Sequence, residues 1–120
     1  MTGTEIFKKA LILLGYTDSL GEVSAGNRLL VRALTVVNTV YADLFYITRG
    51  EGFAPLRSLS ERILLPERAL YDVMPYGVAA QLAQSESDGD SQQLFVLLYN
   101  QKRTALTGGG RIADSIPGPA

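Results

Sequence analysis

Apolar residues recur along most of this chain at steps of three and four, the spacing of one helix face, and the pattern breaks where glycine and proline cluster. The first run predicts a helix from about Thr2 to Leu14. Its apolar face is Phe7, Ala10, Leu11 and Leu14, widened by Ile6 and Leu13. Thr2 and Glu5 stand in the spacing of a capping box, and Gly15 is placed to end the helix. Residues Tyr16 to Gly26 carry turn chemistry and read as a connecting loop.

The second helix is expected to be the longest, from Ala25 or Asn27 to Ile47. Leu30, Leu34, Val37, Tyr41 and Leu44 make a packing seam. A second apolar row, Leu29, Val36, Val40 and Ile47, lies on another side. The polar remainder is a narrow strip of Arg28, Arg32, Thr35, Thr39 and Asp43. A helix apolar on two sides is packed on two sides, and so short a chain has little else to cover the second. A neighbouring copy is therefore expected on Leu29, Val36, Val40 and Ile47.

From Gly50 to Pro66 the periodicity fails, and the segment reads as an extended middle loop or a small β-hairpin. Loops of this length are often functional or ordered by a partner. A third helical region, about Glu67 to Ser85, puts Leu70, Met74, Val78 and Leu82 on one face. Pro75 lacks an amide donor, so the helix kinks or restarts there. Gly77, Ala79, Ala80 and Ala83 are small enough for close approach by the central helix. Asp88, Gly89 and Asp90 make a turn, with Asp90 or Ser91 capping a fourth helix to about Leu106. Its buried side is Leu94, Phe95, Leu98, Tyr99 and Leu106. Residues 108–120 show no helical pattern and read as a flexible tail. The expectation is a mainly α protein, a compact bundle of about four helices with a long central one, its body spanning 1–107.

The 120 residues, 47% hydrophobic and 19% charged, suit one domain with a core. Eleven basic against twelve acidic residues leave a formal charge of -1, so no overall field draws in nucleic acid or an anionic membrane. The chain contains no His, Cys or Trp. That excludes disulfides, thiolate nucleophiles, zinc ribbons and histidine-based acid–base pairs. No apolar run approaches the ~20 residues that span a bilayer, and Ala10 to Leu14 is short for a signal-peptide core. These features fit a soluble, unprocessed, cytoplasmic chain without catalytic, cofactor or metal residues. Glu86, Asp88 and Asp90 lack the ligand series of a calcium loop, and Gly108 to Gly110 lack the Lys-Ser/Thr of a phosphate loop. Arg28, Arg32, Lys8, Lys9, Lys102 and Arg103 would make a DNA-binding face if folding gathered them. That defines the alternative reading, a small helical DNA-binding or packaging accessory protein.

The sequence Ile6-Phe7-Lys8-Lys9-Ala10-Leu11-Ile12-Leu13-Leu14-Gly15, a long helix, a loop ending Ile63-Leu64-Leu65-Pro66, then Met74-Pro75-Tyr76-Gly77-Val78-Ala79-Ala80-Gln81-Leu82-Ala83 and Leu94-Phe95-Val96-Leu97-Leu98-Tyr99-Asn100-Gln101-Lys102 together resemble a known family. It is that of the small head–tail connector, or head-completion, proteins of tailed bacteriophages and prophages, including the packaged-DNA stabilisation type. The resemblance covers about Thr4 to Ala105. It implies a structural homo-oligomer, a ring commonly of twelve subunits, at the virion neck beneath the portal protein, assembled in the host cytoplasm. Such a ring extends the DNA channel, touches duplex DNA transiently and without sequence preference, and meets a downstream neck or tail protein. Carried onto this chain, the partner contacts fall in the middle loop (Phe53, Leu56, Arg57, Leu59, Arg62) and in the tail (Arg111, Ile112, Ile116).

Overall fold

A computed structural model describes residues 1–16 and 26–115, with side chains placed for 1–16 and 29–107. The expected loop at 17–25 and residues 116–120, Ile116 among them, lie outside the described residues. The protein is mainly helical. Four helices occur among the described residues, α1 (Gly3–Leu14), α2 (Gly26–Arg49), α3 (Met74–Ser85) and α4 (Gly89–Ser115), with a π-helical turn, Ala69–Val73, leading into α3.

Local sequence signals set these ends. The Thr2 hydroxyl accepts from the Glu5 amide (3.2 Å), and the Glu5 carboxylate accepts from the Thr2 amide (2.9 Å). At the other end of α1, Gly15 sits at φ 74, its amide bonds Ile12 and the Tyr16 amide bonds Leu11, so two orphan carbonyls are satisfied. Pro75 restarts the third helix, as expected. Upstream the ladder widens, the Met74 amide donating to the Ala69 carbonyl, so the ring sits in the first turn of α3, where no amide is needed. The cap of α4 is Asp88, not Asp90 or Ser91. Its carboxylate accepts from the Ser91 amide (3.3 Å) and its carbonyl from Gln92 (2.9 Å).

The hub of the bundle is α3, not α2, because α1, α2 and α4 all pack against it. Met74, Pro75, Gly77, Val78, Ala79, Ala80, Leu82 and Ala83 are all buried, and the small ones among them admit three neighbours at once. At Gly77 an added Cβ would lie 2.6 Å from a Tyr99 ring carbon and 2.9 Å from the Val40 side chain. That close approach covers the Val40 side of α2 from within the chain. Leu29, Val36 and Val40, expected to meet another copy, are instead buried in the chain's own core, and Ile47 packs against it. The seam expectation holds for Val37, Tyr41 and Leu44, while Leu30 is half exposed. Leu94 of α4 is also half exposed, contrary to its expected burial.

The longest helix is α4, at 27 residues against 24 for α2. It continues through the three glycines to Ser115, past the expected end at Leu106. Once a helix is nucleated each further residue adds a backbone hydrogen bond, which is how the ladder carries across poor helix formers. By length and composition Leu29–Arg49 could cross a membrane, contrary to the expectation that no run comes near that size. In this fold Leu29, Ala33, Val37, Tyr41 and Leu44 of that stretch are core residues.

The middle segment forms no strand and no hairpin. It is an extended strap tied to the chain's own helices. Both backbone groups of Leu56 are held by the Asn38 amide, at 2.8 Å and 3.0 Å. Farther on, Gly3 and Thr4 donate to the Glu61 and Leu59 carbonyls, and Ile63 donates to Met1, so the strap satisfies amides that the first turn of α1 leaves open. One antiparallel bridge pairs Thr2 with Arg62. The strap's order therefore comes from within the chain.

Candidate functional site

The folded chain places the middle-loop candidates on two sides of the strap. Leu56 is buried, Phe53 packs edge-on against Tyr41 and Phe45 with ring centres 5.0 Å and 5.6 Å apart, and Leu59 is half-buried over Gly3. These three are contacts of the strap with α1 and α2, and the burial of Leu56 corrects its assignment to a partner. Arg57 and Arg62 remain exposed. Arg111 and Ile112 fall in the last turns of α4, where only the backbone is described.

Of the six basic residues that would make a DNA-binding face, two are spent on carboxylates. Lys102 pairs with Asp72 at 3.1 Å and lies 4.6 Å from the centre of the Tyr76 ring. Arg103 grips Asp43 with two hydrogen bonds, Nε at 2.7 Å and a terminal nitrogen at 2.9 Å. Lys9 lies over the Tyr71 ring. The side chain of Arg28 is not among those described.

The Asp43–Arg103 pair belongs to a polar tie that sequence reading missed. The Tyr99 hydroxyl donates to the same Asp43 carboxylate at 2.6 Å. Arg103 holds the Asp43 carboxyl below its ordinary value against the opposing effect of burial, and Tyr99 assists. Burial, then the Asp43 charge, pushes the Tyr99 hydroxyl well up. A second tie joins the end of α1 to the α3–α4 turn, the Tyr16 hydroxyl donating to Asp88 at 2.8 Å. Burial and that bond push Tyr16 up to about 12. A sequence signal for the first tie exists. Tyr99 and Arg103 are four residues apart on the inward side of α4, and Asp43 is the one carboxylate within the apolar stretch of α2. These groups answer one another, so the arrangement locks helices together.

Beside this tie runs a trough between α2 and α3. Its wider part, about 410 Å³, is lined by Arg32, Thr35, Val36, Thr39, Gln81, Gln84 and Ser85. A smaller continuation of about 300 Å³ shares Thr39 and Gln81 and adds Val40, Asp43, Gly77, Ala80, Val96 and Tyr99. A third depression, about 310 Å³, lies between α1 and the π turn, lined by Lys9, Ile12, Leu13, Tyr71, Pro75 and Tyr76. Among the described residues no group of carboxylates could hold a metal ion. Exposed large apolar side chains occur on α1, α2 and α4, among them Val31 (83%), Tyr46 (73%), Ile12 (65%) and Leu97 (55%).

Comparison with protein-family models, with curated protein sequences and with solved structures finds no match.

Proposed function

We propose that this chain is a structural subunit of a head–tail connector of a tailed phage or prophage. In this reading it assembles with copies of itself into a ring below a portal protein, extends the DNA channel and bears on the next neck or tail component. It is not an enzyme and works by contact. The observation that carries the reading is the uncovered apolar surface at both ends of α2, where Leu30, Val31 and Tyr46 stand in water. A small domain that buries so much of α2 internally and still leaves these exposed has surface to give to neighbours. Support also comes from the near-balanced charge and from the pairing of Lys102 and Arg103 with carboxylates, which leaves a conduit wall over which duplex DNA slides without tight phosphate binding.

The test is native mass spectrometry and electron microscopy of the purified protein, alone and mixed with portal rings. Closed oligomers, or co-assembly with the portal, are expected. A strictly monomeric species that ignores portal rings overturns the proposal.

A further inference from the structure

We infer that the depression between α1 and the π turn is one half of a contact between copies of this chain, and that the other half is the outward ridge of α2 on a second copy. The inference rests on the reading of the chain as a self-assembling subunit and names the two faces that meet.

The floor of the depression is Tyr71, Pro75 and Tyr76, and one wall is Ile12 and Leu13 of α1. The opposite wall comes from α4. Phe95 packs on the Tyr76 ring at 6.1 Å between centres, and Lys102 lies 4.6 Å from the centre of the same ring. Leu94 and Leu98 stand in the i, i+4 row that ends at Lys102, so Leu94 is on the Tyr76 side of its helix. Helices α1 and α4 each pack on α3 and not appreciably on each other, which leaves the floor between them open. Ile12 is 65% exposed, and Tyr71 and Leu94 are 50% exposed. Water satisfies an exposed charge or amide but not an apolar side chain, so an apolar patch on the scale of a few hundred Å² is surface that a contact covers.

The charges at this face do not select an acidic occupant. Lys9 lies over the Tyr71 ring, and Lys102 lies over Tyr76 and is paired with Asp72. An uncharged apolar ridge fits instead, and the chain carries one. Val31, Thr35, Ala42 and Tyr46 follow at steps of four, seven and four, on the side of α2 opposite the buried Ala33, Val37, Val40 and Leu44. Small residues stand in the middle of this row, and its bulky ends are about 22 Å apart at 1.5 Å per residue, a shape that seats between two helices. The two surfaces face apart. Gly77 of α3 meets Val40, on the inner side of α2, while Pro75 and Tyr76 floor the depression. One chain cannot seat its own ridge in its own depression. Copies joined this way repeat head to tail, the arrangement that closes as a ring.

Native mass spectrometry of charge variants tests the pairing. Ile12→Glu with Leu94→Glu spoils the depression, and Val31→Glu with Tyr46→Glu spoils the ridge. All four positions are exposed, so both proteins are expected to melt within a degree or two of wild type. Each is expected to self-associate at least tenfold more weakly than wild type. An equimolar mixture of the two is expected to form one-to-one dimers, because each variant keeps the half that the other lacks. A two-fold contact between like faces gives no such rescue. The chain has no cysteine, so the pairing is also read with a short bismaleimide. Ile12→Cys mixed with Val31→Cys or Tyr46→Cys is expected to give a covalent dimer that none of the three gives alone. Assembly of the depression variant equal to wild type, absence of the mixed dimer, or cross-linking of Ile12→Cys only to itself overturns the inference and leaves the connector reading to be judged by portal binding. A wild-type protein that is monomeric at every concentration also overturns the inference, while its co-assembly with portal rings still supports the connector reading.

Discussion

At the scale of single residues, the most consequential side chain is Asp43, which joins α2 to two positions of α4. Its carboxyl titrates below its ordinary value because of Arg103 first and Tyr99 after it. A lowered folded-state value means stability that is present above the unfolded value, about 3.9, and is lost as pH falls through the lowered one. Asp43→Asn removes that linkage. The variant is expected to be less stable than wild type at neutral pH, with the gap narrowing below about pH 4 in denaturant titrations. The tyrosines act in the opposite sense. Tyr16 is pushed up to about 12, so its contribution is intact below about pH 10 and fades as the pH rises toward 12. Tyr16→Phe is therefore expected to flatten the alkaline limb of the same profile.

Gly77 is the second residue at which one atom matters. A methyl group there meets the half-buried Tyr99 ring and Val40, and the ring is held in place by its bond to Asp43. Gly77→Ala is expected to cost about 1–3 kcal/mol through overpacking, read as a melting midpoint several degrees lower. An unchanged midpoint would mean that α4 moves freely over α3.

At the scale of elements, what could be read from sequence is what neighbouring residues decide among themselves. The Thr2–Glu5 box, the Gly15 stop and the restart at Pro75 are each settled within a turn or two of chain, and each stands in the structure as the pattern implies. The inward face of α2 is a different kind of question. Both its apolar rows satisfy helical spacing and both are buried within the one chain, the Val40 row because a glycine 37 positions on lets α3 and Tyr99 close on that side. The strap was illegible for the same reason. Asn38 reads as an ordinary polar position, and only the fold brings Leu56, 18 residues on, to its amide. The trough combines both cases. Arg32, Thr35, Thr39 and Asp43 are visible as a strip on one helix, but Gln81 and Gln84 join them only through tertiary packing.

The Asn38 clip also predicts how the strap behaves. Two hydrogen bonds to one backbone residue contribute about 1–3 kcal/mol together. Their loss in Asn38→Ala is expected to free the strap before the bundle. Hydrogen exchange should then accelerate across residues 53–65, and trypsin should cut earlier at Arg57 and Arg62, while amides in α3 keep their protection. Uniform acceleration over the whole chain would instead make the strap part of one cooperative unit with the core.

At the scale of the molecule, the buried and exposed apolar residues of α2 lead to separable consequences. Leu29 and Val40 are sealed inside, so a glutamate at either is expected to unfold the protein, because a buried charge without a partner is not tolerated. Val31 and Tyr46 are 83% and 73% exposed and contribute little to folding of a single copy. The double variant Val31→Glu with Tyr46→Glu is expected to melt within a degree or two of wild type, as exposed substitutions ordinarily do. If copies or partners close over these side chains, the same variant places two charges in the contact, and native mass spectrometry should record monomer at concentrations where wild type is assembled. Equal assembly of both proteins would move the contact surface to other exposed positions, such as Ile12 on α1 or Leu97 on α4, and would remove α2 from the proposed assembly.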